Sequence, residues 1–117
     1  MTKITIAYAP DLNFVPLTLA SMASVLANAA DDDKIEFVIL HNGLDDEHLL
    51  AFAKLQGIKS YALTSIKVDC AVFEGFPNAN WVTAEAWFRC LLADLLPNHQ
   101  KVLYLDCDTI VRSSLSE

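Results

Sequence analysis

The chain has 117 residues, 54% of them apolar and 20% charged, with 15 acidic against 8 basic side chains and a net charge of −7. A chain of this length buries roughly two thirds of the surface it exposes when unfolded, which predicts a single domain over residues 1–117. The apolar content excludes a disordered tail, and the acidic excess excludes a binder that works by neutralising phosphates, so no nucleic-acid partner is expected.

Residues 3–9 (KITIAYA) form a short apolar run with little alternation, the pattern of a strand covered on both faces in a parallel sheet. Residues 12–30 follow without a charge and are long enough to cross a bilayer. Asn13, Thr18, Ser21, Ser24 and Asn28 interrupt them and no basic cluster flanks them, so no membrane helix is expected. Asp11 also breaks the apolar run that a signal peptide would need ahead of the Ala27-Asn28-Ala29 triplet. Instead Val15, Leu19, Met22, Leu26 and Ala29 recur in steps of four and three, the stripe of a helix, with Pro16 in its first turn. The acidic run at 31–33 closes that helix as a solvated loop.

Residues 34–41 (KIEFVILH) read as a second strand. Asp45, Asp46 and Glu47 then bring negative charge to a helix N-terminus, and Leu49, Leu50, Phe52, Ala53 and Leu55 supply its apolar face up to Gly57. A weaker strand over 60–66 and an irregular, functional loop over 67–80 precede a strong helix over 83–96, which Pro97 and Asn98 end. Residues 101–105 (KVLYL) form a last buried strand that runs into Asp106-Cys107-Asp108. The alternation predicts an α/β fold, an open and mainly parallel sheet with helices on both faces, whose ligands bind beyond the carboxyl ends of the strands.

Asp106 and Asp108 stand one residue apart at such a strand end, where an extended chain points residues i and i+2 the same way. Two carboxylates there suit a hard cation such as Mn2+ or Mg2+ with a diphosphate; a solvated turn is the bland alternative. Asp11 and Asn13, just past the first strand, either contact a ribose or base or cap the following helix. Arg89, among Trp87, Phe88, Leu91 and Leu92, is either paired internally or held for an anion. His41, His48 and His99 show no metal-ligand spacing and read as surface or strand-end residues. Cys70, Cys90 and Cys107 form no CxxC and leave an odd thiol under any pairing, which reads as reduced cysteines in a cytoplasmic protein. GxGxxG, GxxxxGK[ST] and GxSxG patterns are absent.

Four segments, IAYAPDLNF (6–14), HNGLDDEH (41–48), FEGFPN (73–78) and TAEAWFRCLLADLLPNHQKVLYLDCDTIV (83–111), together resemble the family 8 glycosyltransferases. These include bacterial lipopolysaccharide galactosyl- and glucosyltransferases and their glycogenin relatives. The resemblance implies the Rossmann-like, nucleotide-sugar-binding half of a GT-A fold, a UDP-hexose donor, Mn2+ (or Mg2+), a saccharide or lipopolysaccharide-type acceptor, and retention of anomeric configuration. It makes Asp106 and Asp108 the DxD metal pair and places Ala9, Asp11 and Asn13 at the uracil and ribose. It brings Arg89, with Thr83 six positions before it, to the donor sugar and phosphate, and it gives Cys107 a backbone contact to the nucleotide.

Family members continue past the DxD into acceptor-binding residues and a histidine metal ligand. The expectation is therefore a domain incomplete at its C-terminus and little activity from the chain alone. Two other readings stand beside it. LDCDTIV is close to the DxDxT motif of haloacid-dehalogenase-like phosphatases. Alternatively the chain is a catalytically empty module that binds UDP or forms a homo-oligomer through an unfinished sheet.

Overall fold

The computed structural model describes residues 2–41, 43–68 and 101–115. Strand β1 (Thr2–Tyr8) leads through a 3-10 turn (Leu12–Phe14) into helix α1 (Val15–Asn28). Strand β2 (Asp33–His41), helix α2 (Asp46–Ala51), strand β3 (Tyr61–Lys67) and strand β4 (Leu103–Tyr104) follow. The four strands form one sheet in the order β3-β2-β1-β4, and every pairing is parallel. Ile6 is the hub of the register, lying between Phe37 of β2 and Leu103 of β4.

The absence of alternation in β1 and β2 has the expected cause. Ile6, Ala7 and Tyr8, and likewise Phe37, Val38, Ile39 and Leu40, are fully buried, so both faces of the sheet are covered at the carboxyl end. On one face Ile4, Ile6, Tyr8, Ile35, Phe37 and Ile39 pack with Val15, Met22, Val25 and Leu26 of α1 and with Phe52. The other face gathers Ala7, Ala9, Val38, Leu40 and Val68, with Tyr104 packed against them. Phe37 stands at the centre of the first face, its ring edge-on to Tyr61 at 5.2 Å and tilted to Tyr8 at 6.1 Å.

Helix α1 follows the predicted stripe: Val15, Met22 and Leu26 are buried, Leu19 packs against them, and Pro16 sits in the first turn. Among the described residues no helix is long and apolar enough to cross a membrane.

Helix α2 departs from expectation by ending at Ala51 instead of running to Gly57. Beyond it the chain tightens to three-residue steps, Phe52 N–H to Leu49 C=O at 3.3 Å, Ala53 to Leu50 at 3.0 Å and Lys54 to Ala51 at 3.2 Å. This winding aligns Leu49, Phe52 and Leu55 on the core and turns Leu50 out, 63% exposed, against the prediction that it faced inward. The Tyr61 hydroxyl secures the turn by donating to the Phe52 carbonyl and accepting from the Leu55 N–H at 3.2 Å.

Strand β4 is also shorter than the predicted 101–105 and less buried, with Leu103 40% exposed. It is one of the two edge strands among the described residues, and one further bond, Leu105 N–H to Ala7 C=O at 3.0 Å, carries its register past Tyr104. The predicted helix over 83–96, the loop beyond Val68, Cys70, Cys90 and His99 lie outside the described residues.

Replacing Phe37 by Ala is expected to cost about 3–5 kcal/mol in urea unfolding, because its ring fills the centre of the core. Leu50→Ser is expected to change stability by no more than about 0.5 kcal/mol in the same assay.

Candidate functional site

The chain leaves β1 toward β2 and β3 on one side, whereas β4 lies on the other. The crevice between the carboxyl ends of β1 and β4 is therefore the topological switch point of the sheet, the place where open α/β sheets hold ligands. Two segments meet there: residues 9–13 after β1 and residues 105–108 after β4.

In the first segment Asp11 is half-buried, and its Oδ1 accepts from Asn13 N–H at 2.9 Å and Phe14 N–H at 3.1 Å. It is thus the N-cap of the 3-10 turn, one of the two roles its position allowed. Asn13 is exposed and Ala9 is buried.

The second segment is a turn, not the extended chain expected there. Thr109 donates to the Asp106 carbonyl through both its N–H at 3.2 Å and its hydroxyl at 2.7 Å. Asp106 and Asp108 nevertheless share the outer side, since both are exposed while Cys107 between them packs against the core. Exposure is what two neighbouring anions require, for burial without a counter-charge is costly.

Burial pushes the Cys107 thiol up, against the Thr18 side chain and Ala9 backbone that hydrogen-bond it, and the charges of Asp106 and Asp11 push it further. Two carboxylates from opposite sides of the switch point thus act on one sulfur. The structure brings together Ala9, Asp11, Asp106 and Cys107 of the predicted site residues; Thr83 and Arg89 lie outside the described residues. Thr109 directly follows Asp108, one place early for the DxDxT pattern, and its hydroxyl is committed to the turn.

Beside this crevice a cavity of about 300 Å³ opens between Pro10, Asp11 and Leu12 after β1 and Gly43, Leu44, Asp45 and His48 after β2. A larger hollow of about 860 Å³, lined by Lys3, Asp32, Lys34, Lys59 and Ser60 among others, lies at the amino ends of the strands, the wrong edge for a ligand of such a sheet.

Residues 5–117 match the sequence model of glycosyl transferase family 8. The chain belongs to that family. A lipopolysaccharide 1,3-galactosyltransferase of Salmonella typhimurium is 31% identical over 98% of this chain and 34% of its own length. The galactosyltransferase LgtC, solved with donor and acceptor sugar analogues, superposes with a TM-score of 0.84 at 32% identity, over 97% of this chain and 41% of LgtC. The bifunctional glycosyltransferase WbbM shares the fold with a TM-score of 0.80 at 18% identity, over 98% of this chain and 20% of WbbM. The expected GT-A architecture is present, and the chain spans about a third of the length of the curated relatives it matches.

One structural feature beside the crevice of this family 8 chain escaped the sequence. His41, a strand-end residue as expected, is buried, and its Nδ1 accepts from Gly43 and Leu44 N–H, both at 3.1 Å. It latches the loop that lines the small cavity, and Gly43 makes the bend with φ +92°. The signal was local: a side chain able to accept two residues ahead of a glycine, the pattern of an Asx-type turn. On the same cavity Asp45 caps α2, and hydrogen bonds from the His48 backbone and side chain hold its carboxyl below the usual range.

Burial, and then the Lys67 ammonium, lower the His41 pKa from its ordinary 6.5, so the imidazole is held neutral as an acceptor. Its contribution to stability is complete above about pH 6.5 and is lost as pH falls toward the lowered native value. Between about pH 7 and pH 5 the native chain is expected to lose more stability to urea than His41→Asn, whose amide oxygen accepts the same two N–H groups at either pH. Equal losses would show that His41 is no latch.

Proposed function

We propose that this chain binds the donor of a glycosyltransferase that moves a hexose from UDP-hexose to a saccharide acceptor of lipopolysaccharide type with retention of configuration. The observation that carries the reading is the pair of outward carboxylates, Asp106 and Asp108, at the switch point of a family 8 sheet beside Asp11. The name of the Salmonella relative and the donor and acceptor analogues bound to LgtC support the substrate class.

The residues fit a divalent metal. Mg2+ and Mn2+ take oxygen ligands, commonly one or two carboxylates completed by phosphates and water. Asp106 and Asp108 are both exposed on the outer side of the turn, open to phosphate oxygens and water. When bound, Mn2+ (or Mg2+) would supply positive charge to offset the charge growing on the leaving diphosphate.

The chain's own residues do the rest. Asp106 and Asp108 are the residues that would hold the cation. Ala9, Asp11 and Asn13 contact uracil and ribose, with Asp11 held rigid by its two backbone hydrogen bonds. Cys107 offers backbone to the nucleotide while its side chain anchors the turn in the core. Thr83 and Arg89, outside the described residues, are assigned to the donor sugar and phosphate by the family resemblance alone.

Calorimetric titration of UDP with Mn2+, with chelator, and with an Asp106→Ala, Asp108→Ala double variant tests this reading. Chelation and the double substitution are each expected to weaken UDP by more than about tenfold, or about 1.4 kcal/mol. UDP binding that survives both would overturn it.

A further inference from the structure

A line of hydroxyls runs from the buried carboxyl end of β1 out to the turn that carries the carboxylate pair. The Tyr8 hydroxyl lies 2.7 Å from Ser21 Oγ, Ser21 Oγ lies 3.3 Å from Thr109 Oγ1, and Thr109 Oγ1 donates to the Asp106 carbonyl at 2.7 Å. The carbonyl can only accept, so the order of protons is fixed: Thr109 donates to Asp106, Ser21 to Thr109, and Tyr8 to Ser21. Tyr8 and Ser21 are fully buried, so no water competes for the bond between them.

Two further polar residues of α1 hold the chain just beyond the turn. Ser24 Oγ accepts from Val111 N–H at 2.8 Å, and Asn28 Nδ2 donates to the Val111 carbonyl at 2.9 Å. Ser21, Ser24 and Asn28 therefore lie along α1 as a rail on which residues 109–111 are seated. Hydrophobic packing alone would be served as well by apolar residues at these places, yet each polar group bonds this one segment, and otherwise only Tyr8 or its own helix.

We propose that Ser21 and Thr109 are positioning residues that fix the 106–109 turn, so that Asp106 and Asp108 are held ready for the cation and diphosphate. This deepens the donor-binding reading and rests on it for the nucleotide, but not for the turn itself. Burial pushes the Tyr8 phenol up to about 12, so the head of the line stays a proton donor well above neutral pH.

The test uses the chain with Cys70→Ser and Cys90→Ser, which leaves Cys107, half-buried inside the turn, as its one thiol. Thr109→Val keeps the shape and removes the donor; Thr109→Ser keeps the donor; Ser21→Ala breaks the line one step earlier. Two quantities are read: the rate at which an aromatic disulfide modifies Cys107, and the affinity for UDP with Mn2+. Thr109→Val and Ser21→Ala are expected to raise the thiol rate and weaken UDP, each by about tenfold, with the circular dichroism spectrum unchanged, and Thr109→Ser to restore both.

Native thiol rates in both Thr109→Val and Ser21→Ala, or a Thr109→Ser chain that behaves like Thr109→Val, would overturn the proposal. A parent chain that binds no UDP would remove the donor-binding reading alone. The thiol rates would then decide the positioning role, upheld by a rise that Thr109→Ser reverses and overturned by none.

Discussion

Strand β1 must satisfy neighbours on four sides at once. It pairs with β2 along one edge and β4 along the other, packs Ile4, Ile6 and Tyr8 under α1, and turns Ala7 and Ala9 to the opposite face. A strand enclosed in this way can expose polar chemistry only at its ends. Its carboxyl end is the one that counts, because the chain departs from it in one direction and β4 arrives from the other. The small side chains of Ala7 and Ala9 fit the same constraint, since the second apolar cluster closes directly over them.

Helix α1 mediates between that strand and the carboxylates. Its apolar stripe seats it on the sheet, and the polar residues that rule out a membrane span hold the chain after β4. The pairing of β4 with β1 involves only two positions, Leu103 and Tyr104, too few to orient the turn that follows. The bonds along α1 provide that orientation, continued by Ser114, whose hydroxyl donates to Asp33 at the start of β2 at 3.1 Å. A short edge strand and a heavily anchored exit are thus complementary features of one segment.

How much was legible in the amino-acid sequence follows from the range of each interaction. The parallel strands β1 and β2, buried at their carboxyl ends, and the α1 stripe depend on neighbours within a few residues or on average composition, and these appear as expected. Asp11 was legible as a choice between two roles, and capping, the local one, is present. The early end of α2 was not legible, because Leu49, Phe52 and Leu55 satisfy a three-residue winding as well as an α-helical face, and the partner that selects the former is Tyr61 of β3. Nor were the roles of Ser21 and Asn28, whose partners Thr109 and Val111 lie 88 and 83 residues away in the chain. The 106–108 segment turns where extension was expected, for a reason the local sequence half contained: Thr109 can bond backward to Asp106 through two donors.

Charge links the parts of the proposed site. The chain carries a net −7, and Asp11 and Asp106 face Cys107 from the two sides of the crevice proposed to receive a diphosphate, with Asp108 exposed beside them in sequence. Without a cation those carboxylates repel the phosphates, and without the phosphates two exposed carboxylates hold a divalent ion only weakly. Each ligand then raises the affinity of the other by the same factor, as linkage requires. A loose turn would lose most of this coupling, because a shared cation helps only where the carboxylates already stand. In the proposed site, the hydroxyl line and the α1 rail would hold the two carboxylates where a cation and a diphosphate could meet them together.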